Sequence, residues 1–211
     1  MLPLTLCLVT DIKSTSLVEY EKFILQAIEG GVTLVQLREK SGDKKQILER
    51  ASALKKWLSP FKIPLIINDD IGLAKEIDAE GVHLGQSDTS PQEARRYLGN
   101  GKLIGLSIES LEELDLANGL TCIDYIAASA VFKSKTKLNC KKIWGIAGLQ
   151  HLVQHSHHPV MAIGGISQDN VLEVMNSGAS GIAVVSAIHG QENPKKAAQN
   201  LITIMKGKNN A

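Results

Sequence analysis

Thr33-Leu-Val-Gln-Leu-Arg-Glu-Lys40 decides how the chain is read, because an apolar strand pattern runs directly into polar and charged residues. Leu34, Val35 and Leu37 have the character of a buried parallel strand, and Gly30 and Gly31 end the helical pattern before it. Arg38 and Lys40 are two residues apart, so on extended backbone they leave one face together with Gln36. Two cations placed in this way can hold one anion between them, and a phosphate or diphosphate suits the pair. The same stretch also reads as a strand that ends in ordinary surface charge. What separates the two readings is whether the rest of the chain repeats the arrangement.

Working outward, the pattern recurs. Leu4 to Val9 reads as a first strand, followed by a polar turn at Asp11 to Ser16 and helical spacing at Leu17, Tyr20, Ile24, Ala27 and Ile28. After the opening stretch, Ile47, Ala51, Leu54 and Leu58 form the stripe of a helix, and Pro60 and Pro64 bracket the turn into a third strand, Leu65 to Ile67. That strand ends in Asn68-Asp-Asp70, with a short helix after it and Asp70 in the helix's first turn. Gly81 to Gly85 is a fourth strand, and Pro91 starts a helix through Ala94, Tyr97 and Leu98. Leu103 to Leu106 is a fifth strand ending at Ser107, and Ile123 to Ala127 a sixth. An irregular segment, Ala128 to Gly148, precedes a helix at Leu149. Val160 to Ile163 and Gly181 to Val185 are the seventh and eighth strands, each with a helix after it. Eight alternations with continuous apolar strands predict a single-domain (β/α)₈ barrel over residues 1–211, with a doubly wound open sheet as the alternative.

Composition narrows the partners. The chain has 211 residues, a formal net charge of +1 and only 4% aromatics, so it carries no broad basic face with stacking rings for nucleic acid. Cys7, Cys122 and Cys140 are odd in number and show no C-x-x-C spacing, which fits a reduced cytoplasmic protein rather than a disulfide or zinc scaffold. The apolar start lacks a basic segment and runs at once into Asp11, so it reads as a strand, with no signal peptide or membrane span.

Polar residues collect at one end of the strands. Gln36, Arg38 and Lys40 follow strand two, Asn68 and Asp69 strand three, Asp88 strand four, Ser107 strand five, Ser134, Thr136 and Lys137 strand six, Gly164 and Gly165 strand seven, and Ser186 strand eight. In a barrel those ends form one mouth, where active sites sit. Asp69 and Asp88 are hard oxygen donors suited to Mg²⁺ shared with a substrate phosphate, or they are helix caps and turn residues. Gly164-Gly165-Ile166, followed by Ser167 and the helix after it through Val171, Leu172 and Met175, offers unobstructed backbone N–H groups at a helix N-terminus for a phosphate, or simply a tight turn. The Ser134-Lys-Thr-Lys137 segment supplies donors to a second anion or is a solvated loop. His151, His155, His157 and His158 fall on the face opposite the mouth, and His83 reads as a packed strand histidine. No Ser-His-Asp or Cys-His pair, G-x-G-x-x-G or P-loop is visible, so the site holds charge and orients ligands without a protein nucleophile.

These motifs, in this order, resemble the thiamine-phosphate synthase family. The matching pieces are Val35-Gln-Leu-Arg-Glu-Lys40, Ile67-Asn-Asp-Asp70, Gly81-Val-His-Leu-Gly-Gln-Ser-Asp88, Gly105-Leu-Ser107, Phe132-Lys-Ser-Lys-Thr-Lys137, Ala162-Ile-Gly-Gly-Ile166 and Val184-Val-Ser-Ala-Ile188. The resemblance implies a (β/α)₈ enzyme that joins hydroxymethylpyrimidine diphosphate to thiazole phosphate and releases diphosphate. It implies that Gln36, Leu37, Arg38, Glu39, Lys40, Asn68, Ser107 and Lys137 bind the pyrimidine diphosphate and that Asp69 and Asp88 hold Mg²⁺. Ser134, Lys135, Thr136, Gly165, Val185 and Ser186 would bind the thiazole phosphate, with Arg38, Lys40, Ser107 and Lys137 as the catalytic groups. A homodimer is implied more weakly.

The chain departs from the family's usual pattern in three places. Ser134 stands where Thr is usual, Ser129-Ala130 where Gly-Pro is common, and Leu138 to Trp144 differ from the usual loop. Two competing functions remain open at this point. A thiazole tautomerase of the same fold family would need an acid–base histidine after strand six, and Ala128 to Lys137 has none. A non-catalytic barrel that binds a phosphorylated ligand would keep the pockets without turnover.

Overall fold

The computed structural model describes residues 2–12, 15–39, 42–134 and 142–207. Strand and helix alternate from β1 (Leu6–Val9) and α1 (Leu17–Glu29), through β2 (Leu34–Leu37), α2 (Lys44–Leu58), β3 (Leu65–Asn68) and α3 (Ile71–Glu76), to β4 (Gly81–Leu84) and α4 (Pro91–Leu98). The second half repeats this with β5 (Leu103–Ile108), α5 (Leu111–Asn118), β6 (Tyr125–Ser129), α6 (Gly145–His155), β7 (Val160–Ile163), α7 (Val171–Asn176), β8 (Gly181–Val184) and α8 (Pro194–Lys206). All eight strands are parallel and follow chain order around a closed barrel. Closure comes from β1 pairing with β8 through Leu6↔Ile182, Cys7↔Ala183 and Leu8↔Val184. The open-sheet alternative is thereby removed.

Strand parity divides the core in two. Cys7, Val9, Leu34, Ile66, Tyr125, Ala127, Met161 and Ala183 pack inside the barrel. Leu6, Leu8, Val35, Leu37, Leu65, Ile67 and Ile182 face the helices, against residues such as Ile24, Leu54, Leu149 and Leu201. Both faces of each strand are covered, which is why the strands read as continuous apolar runs. The helices begin where polar caps allow: Ser16 and Glu19 form a capping box for α1, and Ser90 accepts from the Glu93 N–H ahead of Pro91 in α4.

Several boundaries differ from the sequence expectations. β5 continues through Ser107 to Ile108, so Ser107 is a strand residue pairing with Ala127 rather than the first residue after the strand. β6 starts at Tyr125, two residues later than expected; the Asp124 carboxylate just before it accepts from the Ile104 N–H at 2.7 Å and fixes where the ladder begins. α6 starts at Gly145 because Trp144 is drawn into the core, where its indole N–H donates to the Ile108 carbonyl at 3.3 Å. Asp70 is the N-cap of α3 and accepts from the Leu73 N–H at 2.9 Å. Tyr97 is 44% exposed, with the Lys75 ammonium over its ring, because the short α4 buries only Ala94.

Cys7 and Cys122 are free thiols, and burial pushes the Cys7 thiol up to about 12. Among the described residues no helix is long and apolar enough to cross a membrane. His151 and His155 lie on α6 and His157 and His158 on the turn before β7, at the end of the barrel away from the mouth.

Gly181 sits where β8 meets the chain entering β1. A Cβ there would overlap the Leu4 carbonyl. Gly181→Ala should therefore destabilise the chain by about 1–3 kcal/mol, read as a lower urea midpoint at unchanged slope.

Candidate active site

The inward-facing residue nearest the mouth on five successive strands is polar: Gln36, Asn68, His83, Ser107 and Ser129. They line two adjoining pockets. The smaller is bounded by Val9, Arg38, Ser129, Ala130 and Ser134, by the turn Ile163 to Ile166, and by Ala183, Val184, Val185 and Ser186. The larger is lined by Gln36, Arg38, Asn68, Asp69, His83, Gly85, Gln86, Ser87, Asp88, Ser107 and Glu109, over a floor of Ala127 and Met161. Val9, Arg38, Ser129, Ile163 and Ala183 belong to both, so the pockets share a wall.

The smaller pocket owes its rim to two glycines. Gly164 and Gly165 adopt φ of 102° and 65°, a region in which a side chain is strained. A Cβ on Gly165 would lie 2.6 Å from the Lys133 carbonyl oxygen. Without side chains, the turn after β7 tucks against the segment after β6, with the Val131 N–H donating to Ile163 O at 2.8 Å and the Phe132 N–H to Gly164 O at 3.0 Å. The helix expected through Val171, Leu172 and Met175 is α7, which begins at Val171, past a turn that starts at Ser167. Asn170 holds the intervening turn, accepting from the Ser167 N–H and donating to Gly165 O, both at 2.9 Å. The glycines thus supply an unobstructed backbone rim, with the N-terminus of α7 lying beyond this turn.

The larger pocket is organised by hydrogen bonds among its own walls. Gln36 Nε2 donates to Asn68 Oδ1 at 2.8 Å, and Gln86 Nε2 donates to the Ser107 carbonyl at 2.7 Å. Asp88 Oδ2 accepts from the Gly85 N–H at 2.6 Å, which holds the loop after β4 over the pocket. Asp69 takes a left-handed conformation, φ 66°, with its N–H donating to His83 O at 2.9 Å. Neither aspartate is a helix cap, since Asp70 and Ser90 fill those roles. The Arg38 N–H is tied to Thr10 Oγ1 at 3.0 Å, which fixes the arginine's backbone at the junction of the pockets.

Of the residues singled out by sequence, Gln36, Arg38, Asn68, Asp69, Asp88 and Ser107 come together in the larger pocket, and Ser134, Gly165, Val185 and Ser186 in the smaller. Leu37 and Glu39 line neither. Leu37 is buried against the helices, and the Glu39 carboxylate turns to Arg50 at 2.7 Å, where burial raises its pKa against the opposing pull of the guanidinium. Lys40, Lys135, Thr136 and Lys137 lie outside the described residues. Sequence reading missed Gln86, Glu109 and Ser129 as pocket walls, and took His83 only as a packed histidine. It is packed, but it also lines the larger pocket. Counting in twos from the apolar strand residues would have found His83 and Ser129.

A closed (β/α)₈ barrel with its polar groups gathered around two adjoining pockets at the C-terminal strand ends defines the class, since that is where enzymes of this fold carry their sites. The family profile described as thiamine monophosphate synthase matches residues 6–188. A thiamine-phosphate synthase from Vibrio parahaemolyticus is 46% identical over 200 residues, covering 95% of this chain and 97% of that protein. One from Chlamydia abortus is 40% identical over 95% of this chain and 94% of its own length. The solved structure of a thiamine phosphate pyrophosphorylase from Pyrococcus furiosus superposes with a TM-score of 0.87 at 32% identity, covering 97% and 96% of the two chains. The chain belongs to the thiamine monophosphate synthase family.

The glycine rim makes a direct prediction. Gly165→Ala forces a side chain into a left-handed backbone and against Lys133, costing on the order of 1–3 kcal/mol at the turn. Inorganic phosphate titrated against the native chain and the variant by calorimetry should bind the variant at least about fivefold more weakly.

Proposed function

We propose that the two pockets hold the two substrates of thiamine phosphate synthesis, the thiazole phosphate in the smaller and the pyrimidine diphosphate in the larger. By its family the chain is a thiamine-phosphate synthase, a transferase of thiamine biosynthesis. The observation that carries the assignment of pockets is their shared wall. Arg38, Ser129 and the apolar Val9, Ile163 and Ala183 border both, so ligands bound in the two pockets would meet the same five residues.

The chemistry follows from what those walls offer. The carbon–oxygen bond between the pyrimidine methylene and the diphosphate breaks, both electrons leaving with the diphosphate oxygen, and the thiazole nitrogen supplies the pair that forms the new carbon–nitrogen bond. Charge therefore builds on the leaving group, and Arg38 stands at the junction to meet it. Lys40 and Lys137 join Arg38 in that role on the strength of the family resemblance, with Lys135 and Thr136 beside Ser134 on the thiazole phosphate. Gln36, Asn68 and Ser107 orient the pyrimidine, which brings its methylene to the junction. Val9, Ile163 and Ala183 keep that junction apolar, so water does not compete with the thiazole for the electron-poor carbon.

The donor set fits Mg²⁺. Asp69 and Asp88 are carboxylates from neighbouring loops of one pocket, hard oxygen donors of the kind Mg²⁺ takes. Among the described residues no group of three or more such ligands forms, so diphosphate and water oxygens would complete the shell. Bound there, Mg²⁺ supplies neutralisation of charge on the diphosphate. The family resemblance supports a cytoplasmic enzyme and, more weakly, a homodimer.

The test is the release of thiamine phosphate and diphosphate from the two purified substrates. Turnover should require Mg²⁺ and stop with EDTA. Arg38→Ala and Lys137→Ala should each lower kcat by on the order of 10²–10³-fold, the scale seen when one group facing developing charge is removed. Substrates that bind without any diphosphate release would overturn the reading in favour of a non-catalytic barrel.

A further inference from the structure

Three neighbouring strands place one residue each in register. His83 on β4 pairs with Gly105 on β5, and Gly105 pairs with Tyr125 on β6. Because Gly105 has no side chain, the rings on either side meet across it. A Cβ there would lie 2.5 Å from His83 Nδ1 and would overlap the Tyr125 ring. The Tyr125 hydroxyl is 3.1 Å from His83 Nδ1, and His83 Nε2 is 2.9 Å from Ser107 Oγ. Four residues on three strands thus form a line that starts in the barrel core and ends at the larger pocket.

The direction of the hydrogen bonds along that line follows from its buried end. Tyr125 is 1% exposed, and burial holds its phenol protonated. Its hydroxyl has one hydrogen bond among the described residues, to His83 Nδ1. Were Nδ1 protonated, in the other tautomer or in an imidazolium, it would be the donor, and the phenol hydrogen would be left in the core without an acceptor. An unmade bond of that kind costs about 1–3 kcal/mol. The phenol therefore donates to Nδ1, and the imidazole carries its hydrogen on Nε2. That hydrogen is donated to Ser107 Oγ. With a lone pair of Oγ so occupied, the Ser107 O–H is directed away from His83, on the side where Ser107 lines the pocket.

We propose that Tyr125 and His83 are positioning residues that set Ser107 as a hydrogen-bond donor to the pyrimidine diphosphate, which selects for a lone-pair acceptor, a ring nitrogen or a phosphoryl oxygen, at that point of the ligand. This rests on the reading of the larger pocket as the pyrimidine diphosphate site.

The direction can be read without substrate. In the ligand-free native chain labelled with ¹⁵N-histidine, with His83 assigned by its loss in His83→Gln, Nε2 should resonate as a protonated ring nitrogen and Nδ1 as an unprotonated one. An Nδ1–H tautomer or an imidazolium overturns the proposal. Turnover supplies the second arm. Tyr125→Phe should lower kcat by about tenfold or more while leaving the KM for thiazole phosphate unchanged. Since Tyr125 acts through Ser107, Tyr125→Phe combined with Ser107→Ala should be no slower than Ser107→Ala alone, whereas independent losses that multiply would overturn the relay. A native chain that makes no thiamine phosphate would defeat the functional reading and leave the tautomer result standing.

Discussion

Eight parallel strands can close on themselves only if β1 accepts β8 as its neighbour, and that pairing constrains everything inside. Once closed, every strand is hydrogen-bonded on both edges and no ladder is left for another chain to extend. The interior becomes a fixed space that alternate residues must fill. The lower layers are filled by Cys7, Leu34, Ile66, Tyr125 and Met161. Two residues further along β2 to β6, the same inward direction arrives at Gln36 from Leu34, Asn68 from Ile66, His83 from Gly81, Ser107 from Gly105 and Ser129 from Ala127. The polar wall of the mouth is the next turn of the pleat above the apolar plug, so a register shift of one residue in any strand would bury a polar group among the helices and remove it from the site.

Stability and chemistry are separated along the barrel axis. At the opposite end, carboxylates tie strand starts to helix ends. Glu80 accepts from the Leu65 N–H at 2.9 Å and pairs with Lys55 of α2, while Asp124 accepts from Ile104 N–H at 2.7 Å and pairs with Arg95 of α4 at 2.7 Å. These charges are internally matched. At the mouth the carboxylates of Asp69 and Asp88 and the guanidinium of Arg38 line the larger pocket. That is the end of the barrel at which enzymes of this fold carry their sites.

How much of this was legible depended on which rule each residue obeyed. The eight units could be read because a strand covered on both faces has no polar residue until it ends, and the helices carry their own stripes and caps, as in Leu17–Glu29. The site was legible where polar groups broke an apolar run, as at Gln36, Asn68 and Asp88. Contiguity alone gave no side-chain direction. Leu37 and Glu39 sit between Gln36 and Arg38 in the chain, yet the pleat sends Leu37 to the helices, and Arg50 draws Glu39 aside. Ser107 was read as the residue after a strand because a serine ends an apolar run, although β5 continues through Ile108. The start of α6 depended on Trp144 finding the Ile108 carbonyl, a contact between residues 36 apart that no local pattern announces.

His83 shows why a packing role and a site role need not compete. In a core, an imidazole must satisfy two ring nitrogens, and most solutions use backbone or water on at least one side. Here the strand register offers a phenol to one nitrogen and a hydroxyl to the other, so the ring is satisfied within the barrel wall. Among the described residues no buried side-chain nitrogen or oxygen lacks a partner. That satisfaction fixes the ring, and a fixed ring holds Ser107 in place at the pocket. The same hydrogen bonds that make a polar group tolerable in the core therefore preorganise the site, and Gly105 is the position that permits both, because only an absent side chain lets His83 and Tyr125 meet.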